Sequence, residues 1–138
     1  MQKIREIKQV ATINGVKIDL MPTKGMREEA QRYRDWKKEG RAGGTEVAAR
    51  RATQILSGNE LSPDVVIEMS AWHARHFVDQ EAEGYRPGEK GYPSKGRVAA
   101  ASWGGAAGKS FSDAKSATIK KIRERSMPKK LKKRAAPD

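Results

Sequence analysis

Apolar and polar residues alternate from position 4 to position 21 on either side of Asn14-Gly15, a dipeptide that supplies the two positive φ angles of a type I′ turn. The pattern predicts a β-hairpin in which Ile13 pairs with Val16, Ala11 with Ile18 and Gln9 with Leu20. That register gathers Ile7, Ala11, Ile13, Val16, Ile18 and Leu20 on one face and leaves Lys8, Val10, Lys17 and Asp19 on the other. A lone two-stranded hairpin is marginal in water, so its apolar face requires cover from the helical part or from another chain. The face is large for eighteen residues. Segment 1–22 therefore reads as an association segment, with Ile7, Ile13, Val16, Ile18 and Leu20 as the expected interface to a neighbouring chain.

Beyond Pro22 the period changes to that of helices. Met26, Ala30, Tyr33 and Trp36 draw a stripe that Gly40 ends, and Thr45 caps a second helix through Val47, Ala48, Ala52, Ile55 and Leu56. The third start is the clearest: Ser62 as N-cap, Pro63 at the first position, Asp64 in the first turn and Leu61 stapled to Val66. Its stripe of Val65, Val66, Met69, Trp72 and His76 runs to about Gln80, where glycines and prolines impose a loop. Ser94 caps a short fourth helix through Val98 to Trp103, Gly104-Gly105 breaks it, and Ser112 caps a fifth helix to about Arg125. The expected fold is mainly α: about five helices over 23–125, an N-terminal hairpin and a basic arm over 126–138.

Charge changes the picture of partners. Lys and Arg number 29 against 17 Asp and Glu among 138 residues, a formal net charge of +12. Polyanions thus become the leading partner class. The excess is concentrated at the end, where Lys120, Lys121, Arg123 and Arg125 lead into Lys129, Lys130, Lys132, Lys133 and Arg134, a run without apolar periodicity that reads as a flexible nucleic-acid-binding arm. The absence of cysteine removes disulfides, thiolate metal sites and cysteine nucleophiles. With no apolar run near 18 residues, neither a membrane span nor a signal sequence is expected.

Three constellations invite chemistry. Gly104-Gly105-Ala106-Ala107-Gly108-Lys109-Ser110 approaches a phosphate-binding loop but is one residue short, Trp103 standing where the first glycine belongs, and a helix rather than a strand precedes it. His73, His76 and Asp79 lie along one helix edge, where a metal would still need ligands such as Glu81 or Glu83 from elsewhere; a structural His76 and an exposed His73 are the expectation. The second and third helices resemble a helix-turn-helix, yet the third opens with Asp64, Val65, Val66, Ile67 and Glu68, a face suited to packing rather than to base edges. No cofactor, metal or small-molecule substrate is implied.

Gly43-Gly44-Thr45, Leu61-Ser62-Pro63, Ala74-Arg75-His76-Phe77-Val78-Asp79, Pro87-Gly88-Glu89-Lys90-Gly91-Tyr92-Pro93-Ser94 and Trp103-Gly104-Gly105-Ala106-Ala107-Gly108 occur in this order. Together they resemble a small domain family of tailed bacteriophages, often encoded near head-assembly genes and without an established activity. The resemblance covers about residues 25 to 112; Ala99-Ala100-Ala101-Ser102 is smaller than the family's bulky apolar stretch, and hairpin and tail lie outside it. Physically the blocks read as a tertiary clasp in which Trp72 packs on Trp103 while Arg75 and Asp79, at i and i+4, pair and hold the glycine-rich loop; the competing reading is a site formed by Arg75, His76 and Asp79 under that loop. The expectation is a non-enzymatic virion or capsid-assembly component, in the host cytoplasm before assembly. Its partners would be other phage structural proteins, copies of itself, or the nucleic-acid backbone. The alternative is an intracellular nucleic-acid-binding regulator of a phage.

Overall fold

A computed structural model describes residues 10–125. Two strands, β1 (Val10–Ile13) and β2 (Val16–Asp19), are followed by five helices: α1 (Lys24–Lys38), α2 (Glu46–Leu56), α3 (Pro63–His76), α4 (Lys95–Ser102) and α5 (Gly105–Arg125). A 3₁₀ turn, Phe77–Glu81, continues α3. The molecule is mainly helical with an N-terminal hairpin, as the periodicities predict.

Local signals set most boundaries. The strands pair antiparallel with Ile13 opposite Val16 and Ala11 opposite Ile18, and Asn14 and Gly15 take φ of 50° and 83°. The hydroxyls of Thr23, Thr45, Ser62 and Ser94 accept hydrogen bonds from the amides of Met26, Ala48, Val65 and Arg97 at 3.1–3.2 Å, each satisfying an orphan donor at a helix start. The predicted stripe of α1 is the buried one: Met26, Ala30, Tyr33 and Trp36.

The hairpin corrects one expectation. Ile13, Ile18 and Leu20 are buried in the chain's own core, and Val16 alone of the expected docking residues within the described region is exposed, at 47%. Past β2 the chain is tied down further, since the Leu20 carbonyl accepts from Leu61 N at 3.0 Å and Leu20 N donates to the Glu60 carboxylate at 3.2 Å. Among the described residues the hairpin's apolar face is covered internally by Ile13, Ile18 and Leu20 entering the core. Ile7 and Gln9 lie outside the described residues, as does the whole of 126–138.

A second correction concerns α5, which starts at Gly105 and not at Ser112. Ser112 is buried within the helix, its hydroxyl donating to the Lys109 carbonyl at 3.3 Å. Gly104 and Gly105 do break the chain between α4 and α5, with φ of 88° and 61°, and α5 begins on the second of them. Gly108 is buried against the Trp103 carbonyl so closely that a side chain there would collide with it.

Candidate functional site

His73 and Trp103, with their neighbours Trp72 and His76, come together where α3, α4 and α5 meet. His73 is buried and its Nε2 lies 3.0 Å from the Trp103 carbonyl; because that oxygen can only accept, Nε2 carries the proton and donates. Trp72 stacks on Trp103 with ring centroids 5.3 Å apart and planes 15° apart, which is the expected clasp. His76 stacks on Trp72 at 4.3 Å, and the Arg51 guanidinium lies over the Trp103 ring at 5.4 Å. Burial holds the His73 pKa below the usual imidazole range, against the bond to Trp103 that favours the proton.

The two histidines exchange the roles read from the sequence. His73 is the structural one, and His76 is exposed with Nδ1 3.2 Å from Asp79 Oδ2. Asp79 thus pairs with His76 and not with Arg75, which is exposed. The change follows from the helix tightening to 3₁₀ at Phe77, which brings position 79 under position 76 instead of 75. Among the described residues no group of three His, Asp or Glu converges as a metal-ligating cluster.

Beside this seam opens a cleft of about 400 Å³, bordered by Glu29 from α1, His73 from α3, Gln80, Tyr85, Arg97 from α4, and Lys109 from α5. Arg97 Nη2 stands 2.7 Å from Glu29 Oε1, with both side chains about 85% buried. The alignment is too oblique for a hydrogen bond, so Glu29 Oε1 and Arg97 Nη1 find no hydrogen-bond partner among the described residues. The Arg97 guanidinium sits between the rings of Trp36 at 5.3 Å and Tyr85 at 5.9 Å, which offsets part of its desolvation. Burial pushes the Tyr85 hydroxyl up, so it stays protonated at neutral pH. Lys109 is held by Asp113 at 2.6 Å, and Asp113 also accepts from Ser70 at 2.6 Å. Against the rise that burial alone would give, these two bonds keep the Asp113 carboxyl below the usual range.

The run Gly104 to Ser110 follows a helix, α4, and its lysine is committed to Asp113, so it lacks the setting of a phosphate loop. Glu29 and Arg97 escape the sequence reading because each sits one position from an apolar stripe residue, Ala30 and Val98. A charge at such a helix edge is the available signal for a buried pair.

The sequence-predicted cations divide at Arg125. Within α5, Ile119 and Ile122 are buried while Lys120, Lys121 and Arg125 project outward; Arg123 reaches Asp64 Oδ1 at 3.2 Å. Lys129, Lys130, Lys132, Lys133 and Arg134 lie outside the described residues. Arg51 on α2 is buried and pairs with Glu68 at 2.6 Å. No helix among the described residues is long and apolar enough to cross a membrane. No protein-family model matches the chain, and comparison with curated proteins and with solved structures yields no match.

Proposed function

We propose that this chain is a non-enzymatic virion or capsid-assembly component of a tailed bacteriophage, contacting packaged DNA or an acidic protein surface through the end of α5 and the segment after it. The observation that carries this reading is the outward projection of Lys120, Lys121 and Arg125 from a helix anchored by Ile119 and Ile122, with the Lys129 to Arg134 cluster following in the sequence. Cations on a fixed rod followed by further cations suit phosphate backbones and carry no geometry for reading base edges. The phage setting rests on the resemblance of the five sequence blocks.

Titration of labelled duplexes at several salt concentrations tests the binding. Removing residues 126–138 deletes five Lys or Arg, and the slope of log affinity against log salt becomes shallower by up to about 4.5 units on B-DNA. An unchanged slope assigns duplex binding to the folded body or abolishes the reading. Recovery of the protein in purified particles separates a virion component from a regulator confined to the infected cell.

A further inference from the structure

We propose that the exposed face where α1 adjoins α2 is a second phosphate-backbone surface, which holds duplex DNA through Arg27, Arg34, Lys38 and Arg50. The inference rests on the polyanion reading for its ligand class and on different residues for everything else. At about 100° per residue, Arg27, Arg34 and Lys38 fall within about 40° of one another around α1. Glu28, Asp35 and Glu39 repeat the same spacing one position on, about 100° further round. All six are exposed, so the solvent side of this helix sorts its charges into two stripes instead of interleaving them. The cationic stripe is the one beside α2, where Arg34 Nη2 donates to Thr53 Oγ1 at 3.4 Å. Arg50, exposed about one turn before Thr53, adds a fourth cation from the neighbouring helix.

These four cations keep their charge free. Among the described residues Arg32, Arg41, Arg51, Arg97, Lys109 and Arg123 each pair with a carboxylate, and none of the four does. Arg27 Nη1 donates to the Pro22 carbonyl at 2.6 Å and Arg34 to the Thr53 hydroxyl, so both guanidiniums are oriented while no acid neutralises them. Glu46 is the one acid on α2 and pairs with none of them. An uncompensated cationic stripe concentrates polyanions at the surface. From Arg27 to Lys38 the helix rises about 16 Å, enough to follow about five phosphates of one strand at about 3.4 Å each. The α2 positions beside the stripe, Ala49 and Thr53, are exposed and small and offer no large apolar anchor, which favours a backbone over a protein helix. Because α2 packs mainly on α1 and α4, this surface is separate from Lys120, Lys121 and Arg125 on α5.

Duplex titration of the full chain at several salt concentrations tests the surface. Combining Arg27→Gln, Arg34→Gln, Lys38→Gln and Arg50→Gln keeps good helix formers and removes four charges, so the slope of log affinity against log salt should become shallower by up to about 3.6 units. If that variant loses its fold, Lys38→Gln with Arg50→Gln reads the same effect at up to about 1.8 units, since neither side chain bonds within the described residues. Neutralising the other stripe through Glu28→Gln and Asp35→Asn should leave the slope where it is in the parent. An unchanged slope in the cation variants overturns the proposal and leaves the α5 reading standing if Lys120, Lys121 and Arg125 still move it. A shallower slope in the cation variants, with truncation after Arg125 and the α5 changes both silent, supports this surface and removes the α5 reading. A parent that binds no duplex overturns both. Cation variants that lose binding to polyglutamate while keeping the parent's duplex slope assign the surface to an acidic protein and overturn the proposal as well.

Discussion

The two halves of α5 bury themselves by different means. From Gly105 to Ser112 the helix packs through Gly105, Gly108 and Ser112, residues small enough for its backbone to press on the Trp103 turn and on His73, with Phe111 the one large side chain buried among them. From Ser116 onward it is held by Ile119 and Ile122, side chains that reach into the core and leave the helix surface free to carry cations. The first half is constrained by backbone proximity, where any added atom is felt; the second by two branched anchors, where outward positions are open. One helix thus combines a close-packed seam with a permissive display surface.

The sharpest way to break the first half is Trp103→Ala, which empties a 3%-exposed site stacked on Trp72 and roofed by Arg51. Thermal or denaturant unfolding should register a loss of about 3–5 kcal/mol. Next comes Gly108→Ala. Alanine ordinarily stabilises a helix interior relative to glycine by about 1 kcal/mol. Here the added methyl meets the Trp103 carbonyl, and a net loss of roughly 1–3 kcal/mol is expected in the same measurement. A Gly108→Ala variant that melts above the parent would show that the seam is not tightly closed.

Acid offers a gentler probe of the same seam. Burial depresses the folded-state pKa of His73, so as pH falls the unfolded chain takes up the proton first. The stability this contributes is complete above about pH 6.5, the unfolded value, and declines as pH drops toward the folded value, at no more than about 1.4 kcal/mol per pH unit. Denaturant melts across pH 7 to 5 should show this slope in the parent and lose it in His73→Gln, whose amide can still donate to the Trp103 carbonyl. The smallest effect on stability belongs to the display surface. Replacing Lys120, Lys121 and Arg125 with alanine should shift stability by no more than about 0.5 kcal/mol. The same triple change should make the salt dependence of duplex binding shallower by up to about 2.7 units.

The contrast also explains what was legible beforehand. Features written in a few adjacent residues are read correctly: the Asn14-Gly15 turn with its register, the hydroxyl caps at Thr45, Ser62 and Ser94, and the α1 stripe. Features decided by distant partners are not. The Gly104-Gly105 break is real, but Ser112 reads as a cap because nothing nearby announces that α5 starts at once and that Gly108 serves its approach to Trp103. His76 continues the assumed stripe, but at the end of α3 it lies exposed on Trp72, while His73, four residues after Met69, faces the core. Arg51 looks like a surface cation until Glu68 and the Trp103 ring are seen to receive it. The pairing of Trp72 with Trp103 is foreseen, whereas the Glu29–Arg97 pair is invisible without knowing that α1 and α4 adjoin.

The junction of Leu20 with the Glu60-Leu61 turn has a consequence for the order in which the chain matures during synthesis. The first strands emerge from the ribosome long before their cover does, since the Leu20 amide bonds a carboxylate forty residues downstream. The Trp103 seam and the α5 isoleucines come later still. The hairpin's Ile13 and Ile18 therefore pass through an exposed interval on every nascent chain, when contacts distant in sequence are not yet available to shield them. Crowded polysomes making this protein in quantity would present many such uncovered hairpins side by side, and the length of that interval, more than the stability of the finished fold, would govern the yield of correctly closed molecules.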